Sequence, residues 1–226
     1  MKRDEERMIG AYDPGNWRLY VLTDERLSRG RPHSEVAREA IRGGADAVQL
    51  RDKAASGRAL FDLAVQIGEM ARSAGVPFIV NDRVDIALAA GADGVHVGQD
   101  DLPASAARSL IPPTMILGVS ATTPDEATAA ERDGADYIGF GPVFEARESK
   151  PDTIAPLGLE LLREVCRACT VPVIAIGGVD RSNIESVMQA GATGVAVISS
   201  VVAADDMAAA ARTLKDISLA AFRRRL

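Results

Sequence analysis

The chain has little of what redox, thiolate-metal or histidine-relay chemistry needs: of its 226 residues, two are cysteine and two are histidine. Cys166 and Cys169 form a C-x-x-C, but no second cysteine pair exists and His33 and His96 lie far away in sequence. The pair could in principle be redox-active or half a metal site, but the partners of a zinc set are missing. The two cysteines are read instead as small side chains near the end of an amphipathic helix, just before the run Val171 to Ile176. Long apolar runs are also missing, since nothing approaches the roughly 18 consecutive apolar residues of a membrane span. Met1 to Arg7 leads to Gly10 and Pro14 rather than into an apolar signal core, so the expected location is cytoplasmic. A net charge of -6, from 26 basic and 32 acidic residues in no long block, offers neither a nucleic-acid groove nor a membrane-seeking face. Small molecules are the expected partners. A homo-oligomer is compatible with the sequence, which does not set the number of copies.

What is present is a regular alternation. With 47% hydrophobic residues the chain can bury one large core. Short β-branched runs occur at Leu19 to Leu22, Ala47 to Leu50, Phe78 to Val80, Gly94 to Val97, Met115 to Val119, Tyr137 to Phe140, Val171 to Ile176 and Gly194 to Ile198. Helical stretches lie between them: Ser34 to Arg42, Ala59 to Ala74, Val84 to Ala90, Ala104 to Leu110, Pro124 to Arg132, Leu159 to Ala168, Asn183 to Ala190 and Met207 to Ala221. Strands that alternate with helices run parallel, because parallel neighbours cannot be joined by hairpins. A repeat supports the count. Gly44-Ala45-Asp46, Gly91-Ala92-Asp93, Gly134-Ala135-Asp136 and Gly191-Ala192-Thr193 each end a helix and introduce every second run. An open doubly wound sheet reverses its winding once and gives no reason for such a signature on alternate strands. The expected fold is therefore α/β, a single (β/α)8 TIM barrel over residues 17–226 with a short polar extension over residues 1–16.

In such a barrel the functional side chains project from the C-terminal strand ends. The polar residues there are Gln49 and Arg51-Asp52-Lys53, then Asn81-Asp82, then Gln99-Asp100-Asp101, then Ser120. They continue with the loop Gly141 to Lys150, Gly177-Gly178 and Ser199-Ser200. Asp82 or Ser120 alone would read equally well as a helix cap. Their convergence with Arg51, Lys53, Lys150 and Asp101 on one mouth points further. A hard divalent cation that also holds a phosphate needs one or two carboxylates, with cations completing the neutralisation. The Gly-Gly and serine after the last two runs suit a phosphate bound by backbone N–H groups. His96, inside the fourth run, is read as a neutral interior side chain with satisfied nitrogens rather than a general base.

The segments Val48-Gln49-Leu50-Arg51-Asp52-Lys53, Asn81-Asp82, Gly94 to Asp101, Gly118-Val119-Ser120, Gly141-Pro142-Val143-Phe144 and Ala175-Ile176-Gly177-Gly178 occur in this order. Together they resemble the thiamine-phosphate synthase family from about Leu19 to Ala211. The resemblance implies a transferase that joins hydroxymethylpyrimidine pyrophosphate to thiazole phosphate and releases pyrophosphate by a dissociative, Mg2+-assisted route. It places Gln49 and Ser120 on the pyrimidine, Arg51, Lys53, Asn81 and Lys150 on the pyrophosphate, and Asp82 and Asp101 on Mg2+. Gly178, Ile198 and Ser199 would hold the thiazole phosphate. Leu50, Asp52, Arg147, Glu148 and Ser149 complete the expected substrate-binding set, and Arg51, Lys53, Ser120 and Lys150 are the expected catalytic residues.

Two departures from the family pattern stand out. The loop after Phe144 is one residue longer, with Arg147 where the first of two threonines is usual, and Ala121-Thr122-Thr123 stands where a histidine is common. Arg147 is accordingly expected near the thiazole, where a guanidinium can pair with a carboxylate in a bidentate way. Two other functions share the barrel and the phosphate cradle. A thiazole tautomerase-like isomerase typically lacks the metal carboxylates and carries histidine at the position of Pro142. A non-catalytic, phosphate-sensing regulatory barrel would have lost the cationic and acidic set. Asp82, Asp101 and Pro142 favour the synthase.

Overall fold

The computed structural model of the protein describes residues 12–145 and 155–225. Parallel strands β1 (Leu19–Leu22), β2 (Ala47–Leu50), β3 (Phe78–Asn81), β4 (Gly94–Val97), β5 (Ile116–Ala121), β6 (Tyr137–Phe140), β7 (Val173–Ile176) and β8 (Gly194–Val197) pair in sequence order. The last closes on the first, with Leu19, Tyr20 and Val21 in register with Val195, Ala196 and Val197. The strands are short and apolar, and β1, β2 and β8 are buried at every position. That is the pattern of strands covered on both faces by barrel interior and helices.

The helices are α1 (His33–Arg42), α2 (Gly57–Ala74), α3 (Val84–Ala89), α4 (Ala104–Leu110), α5 (Pro124–Arg132), α6 (Gly158–Ala168), α7 (Ile184–Gln189), α8 (Ser199–Val202) and α9 (Met207–Arg225). Local chemistry sets their ends. The Ser56 side chain accepts the Ala59 N–H ahead of α2, which stops at Gly75 in the left-handed conformation (φ 68°). Thr123 accepts the Glu126 N–H at 3.1 Å, and Pro124 opens α5 with its φ preset. Seven of the eight expected helices are found within a residue or two of their anticipated starts and ends, and α9 continues four residues further, to Arg225. The four-residue α8 was not anticipated, because Ser-Ser-Val-Val is too short and too β-branched to announce a helix on its own.

The Gly-Ala-Asp repeat has a mechanical meaning. Gly44, Gly91, Gly134 and Gly191 all sit at positive φ (88°, 63°, 99° and 117°), where a side chain would be strained. The turn this allows drops each following aspartate onto the start of the preceding strand. Asp46 accepts the N–H of Arg18 and Leu19, Asp93 that of Phe78, and Asp136 that of Leu117, at 2.7–2.9 Å. The same residues donate their own N–H to Leu19, Phe78 and Leu117 carbonyls. Each carboxylate thus fastens an even strand to its odd neighbour at the N-terminal rim. Thr193 keeps the backbone half, donating to the Val173 carbonyl.

No helix of the described residues is long and apolar enough to cross a membrane. Cys166 and Cys169 are free thiols, pushed up to about 12 and about 11 chiefly by burial, so both are protonated and poor nucleophiles at neutral pH. Residues 1–11, most of the expected polar extension, lie outside the described residues.

The rim clamps predict a stability effect without a catalytic one. Asp136 is 5% exposed and also takes Arg108 Nη1 at 3.2 Å. Asp136→Ala should lower unfolding free energy by about 3 kcal/mol in urea titrations, as when one partner of a buried pair is removed. Activity per folded molecule should be unchanged, because this rim faces away from the strand ends that carry the polar set. A loss below about 1 kcal/mol would mean that the clamp contributes no more than an ordinary hydrogen bond.

Candidate functional site

The C-terminal strand ends enclose a cavity of about 350 Å3. Its deep wall is built from side chains inside the barrel. Gln49 Nε2 donates to the Tyr20 hydroxyl (2.5 Å), which lies 3.1 Å from the Tyr137 hydroxyl. Tyr137 is 2.9 Å from His96 Nδ1, and His96 Nε2 is 2.9 Å from Ser120 Oγ. A continuous hydrogen-bonded chain therefore crosses the barrel from β2 to β5. Burial pushes both tyrosine hydroxyls well above their ordinary value, so they stay neutral. The chain needs a bare backbone beside it: a Cβ on Gly118 would fall 2.2 Å from Tyr137 Cζ and 2.5 Å from His96 Nδ1. Trp17, with its ring centroid 5.3 Å from that of Tyr137, packs against the same tyrosine.

One side of the mouth is charged. Arg51 Nη1 donates to Asp24 Oδ2 at 2.8 Å, and Lys53 Nζ is 3.5 Å from Asp82 Oδ2. Asp82, at the end of β3, has φ 61°, a left-handed conformation uncommon for a residue with a side chain. Its carboxyl is pushed up from 3.8 to about 6 by burial first and then by the neighbouring Asp101, with Lys53 opposing. Asp101 in turn accepts the Gly98 N–H at 2.8 Å. Two carboxylates held together, one of them partly buried and strained, form a donor set suited to a hard divalent cation. A group of three potential ligands, Glu25, His33 and Asp52, also exists among the described residues, away from the cavity wall.

The opposite side is neutral and glycine-rich. Gly177 and Gly178 adopt positive φ (95° and 63°), and the Asn183 amide donates to the Gly178 carbonyl at 2.8 Å. Ile198, Ser199 and Ser200 face them across the opening of α8, and Ser200 Oγ donates to the Val179 carbonyl. The first N–H groups of a helix have no partners within it, so this wall offers donors suited to an anion.

The sequence pattern described as thiamine monophosphate synthase matches residues 19–201, which carry all of these groups but Trp17. The chain belongs to the thiamine monophosphate synthase family. The thiamine-phosphate synthase of Chloroflexus aurantiacus is 56% identical over 200 residues, covering 88% of this chain and 92% of its own. That of Methanocella arvoryzae is 55% identical over 199 residues, covering 88% and 93%. Among solved structures, the thiamine phosphate pyrophosphorylase of Pyrococcus furiosus superposes with a TM-score of 0.84 at 39% identity, covering 92% of this chain and 98% of its own.

In this thiamine monophosphate synthase family member, Gln49, Arg51, Lys53, Asn81, Asp101, Ser120, Gly178, Ile198 and Ser199 all line the one cavity. Asp82 stands just behind the wall and reaches it through Lys53 and Asp101. Two side chains of the expected substrate-binding set, Leu50 and Asp52, point away from the wall. Leu50 is fully buried, because alternation along β2 turns it to the helices while Gln49 enters the barrel. Asp52 turns back to accept the N–H groups of Ala54 and Ala55. Arg147, Glu148, Ser149 and Lys150 lie outside the described residues. His96 has both nitrogens satisfied, as expected, yet it also lines the cavity. Sequence reasoning missed Tyr20, Tyr137 and the Asp24 partner of Arg51. The tyrosines sit inside runs that otherwise read as core, and only their hydroxyls marked them.

Asp82 generates a pH prediction. Its folded value lies above the ordinary 3.8, so the folded state binds the proton more tightly than the unfolded chain. Metal-free protein should therefore lose stability as pH rises from about 4 to about 6. Asp82→Asn should remove that part of the profile and raise the melting temperature at neutral pH, since asparagine tolerates the left-handed conformation. A variant that melts lower than wild type at pH 7 without metal would contradict the strain.

Proposed function

We propose that the cavity joins hydroxymethylpyrimidine pyrophosphate to thiazole phosphate and releases pyrophosphate. The observation that carries this reading is the division of one cavity into a charged end, a hydrogen-bonded deep wall and a glycine-rich end. Arg51, Lys53 and Asn81, with Lys150, hold the departing pyrophosphate, whose negative charge grows as its bond to carbon breaks. Interactions that strengthen with that charge lower the barrier rather than only tightening binding. Asp82 and Asp101 would hold Mg2+, which supplies further neutralisation of the pyrophosphate oxygens.

Gln49 and Ser120 orient the pyrimidine between the two ends. Gln49 Oε1 is buried with no hydrogen-bond partner within the protein, which suits an amino group of the substrate as its donor. Electron donation from that aminopyrimidine stabilises the methylene cation left behind, and the thiazole nitrogen captures it. No protein nucleophile is needed. The protein contributes alignment of the two reactants against a wall of neutral hydroxyls. Gly178, Ile198 and Ser199 hold the thiazole phosphate from the opposite side, and Arg147 pairs with a carboxylated thiazole. The protein works in the cytoplasm.

Asp82→Asn and Asp101→Asn test the assignment. Each should fold, bind thiazole phosphate normally and lose turnover by about a hundredfold or more, the cost of removing a key electrostatic stabiliser. Metal-independent turnover, or variants that fail to fold, would make these carboxylates structural.

A further inference from the structure

We propose that His33, a residue of α1 that does not reach the cavity, is a positioning residue for the cations that receive the leaving group. The inference rests on the reading above that Arg51 and Lys53 hold pyrophosphate. His33 is 3% exposed and sits under the turn that joins β2 to α2. Its Nδ1 lies 2.7 Å from Thr23 Oγ1, and the same oxygen accepts the backbone N–H of Arg51 at 3.2 Å. On the other side of the ring, Nε2 lies 3.3 Å from Asp52 Oδ2, close but poorly aligned for a hydrogen bond. Asp52 Oδ1 fixes the N–H groups of Ala54 and Ala55 at 2.8 and 2.9 Å.

The directions are mutually consistent. Thr23 Oγ1 accepts from Arg51 and keeps its one proton to give to His33 Nδ1, an arrangement in which the ring proton sits on Nε2 facing Asp52. His33 therefore braces the turn from both ends, at Arg51 through Thr23 and at Ala54 and Ala55 through Asp52. Lys53 lies between these fixed points and its ammonium projects to Asp82. The turn around Lys53 takes its shape from a histidine that lies outside the site. The depression of the Asp52 carboxyl, where the Ala54 and Ala55 N–H groups and then His33 outweigh burial, accords with an ionised brace. Glu25 brings a third ligand atom within 4.8 Å but is exposed, and Asp52 already accepts from two N–H donors.

The test is steady-state kinetics of the full chain with both substrates, on His33→Leu, His33→Gln and the near-isosteric Thr23→Val. A displaced turn should raise KM for the pyrimidine pyrophosphate and lower kcat/KM by about tenfold or more, as misplacement remote from the chemistry does. KM for thiazole phosphate should be unchanged. His33→Gln, which keeps a donor and an acceptor, should recover most of the loss. Amide exchange at Arg51, Ala54 and Ala55 should quicken in His33→Leu and Thr23→Val. Equal effects on both substrates, or none in either variant, would overturn the proposal. Arg51→Ala, assayed for inhibition by inorganic pyrophosphate, separates the two readings. If inhibition weakens there but not in His33→Leu or Thr23→Val, the positioning role alone fails. If Arg51→Ala leaves inhibition intact, the leaving-group site falls and the positioning role with it.

Discussion

The repulsion between Asp82 and Asp101 is the constraint around which the charged end is organised. Burial and the neighbouring carboxylate both oppose ionisation of Asp82, and its backbone is held in a left-handed conformation. A group placed against local preference is more often functional than structural. Lys53 offsets part of the repulsion from one side, and the Gly98 N–H steadies Asp101 from the other. What remains is a pair of carboxylates short of positive charge, which a divalent cation would supply.

The rest of the barrel serves to keep that arrangement rigid. At the N-terminal rim, Asp46, Asp93 and Asp136 fasten strands in pairs and leave the opposite rim free for chemistry. Inside, bulky tyrosines and His96 fill the interior, and Gly118 leaves the space they require. The hydrogen-bonded chain from Gln49 to Ser120 connects the two residues proposed to orient the pyrimidine. A change at Tyr20 or Tyr137 would be felt at both ends of that chain, although neither tyrosine appears in the sequence motifs.

Much of this was legible in the sequence, for physical reasons that can be named. The strands could be counted because each is short and apolar, with a helix stop ahead of all but the first, and the Gly-Ala-Asp turns marked every second one. Arg51, Lys53, Asn81, Asp101 and Ser120 could be placed because polar residues after an apolar run must leave the barrel at its mouth. Side-chain direction was harder. Leu50 and Asp52 stand beside Gln49, Arg51 and Lys53 in the chain, yet alternation and a turn send them elsewhere. The Asp24 and His33 supports were invisible, since a contact between the β1 and β2 ends depends on the closed barrel and leaves no local pattern.

The central claim is that one cavity aligns two phosphorylated reactants and stabilises a departing pyrophosphate. Purified protein incubated with hydroxymethylpyrimidine pyrophosphate, thiazole phosphate and Mg2+ should release thiamine phosphate and pyrophosphate in equal amounts, and neither should form when the metal is chelated. Pyrophosphate without thiamine phosphate, or a rearranged thiazole phosphate as the sole product, would contradict the account.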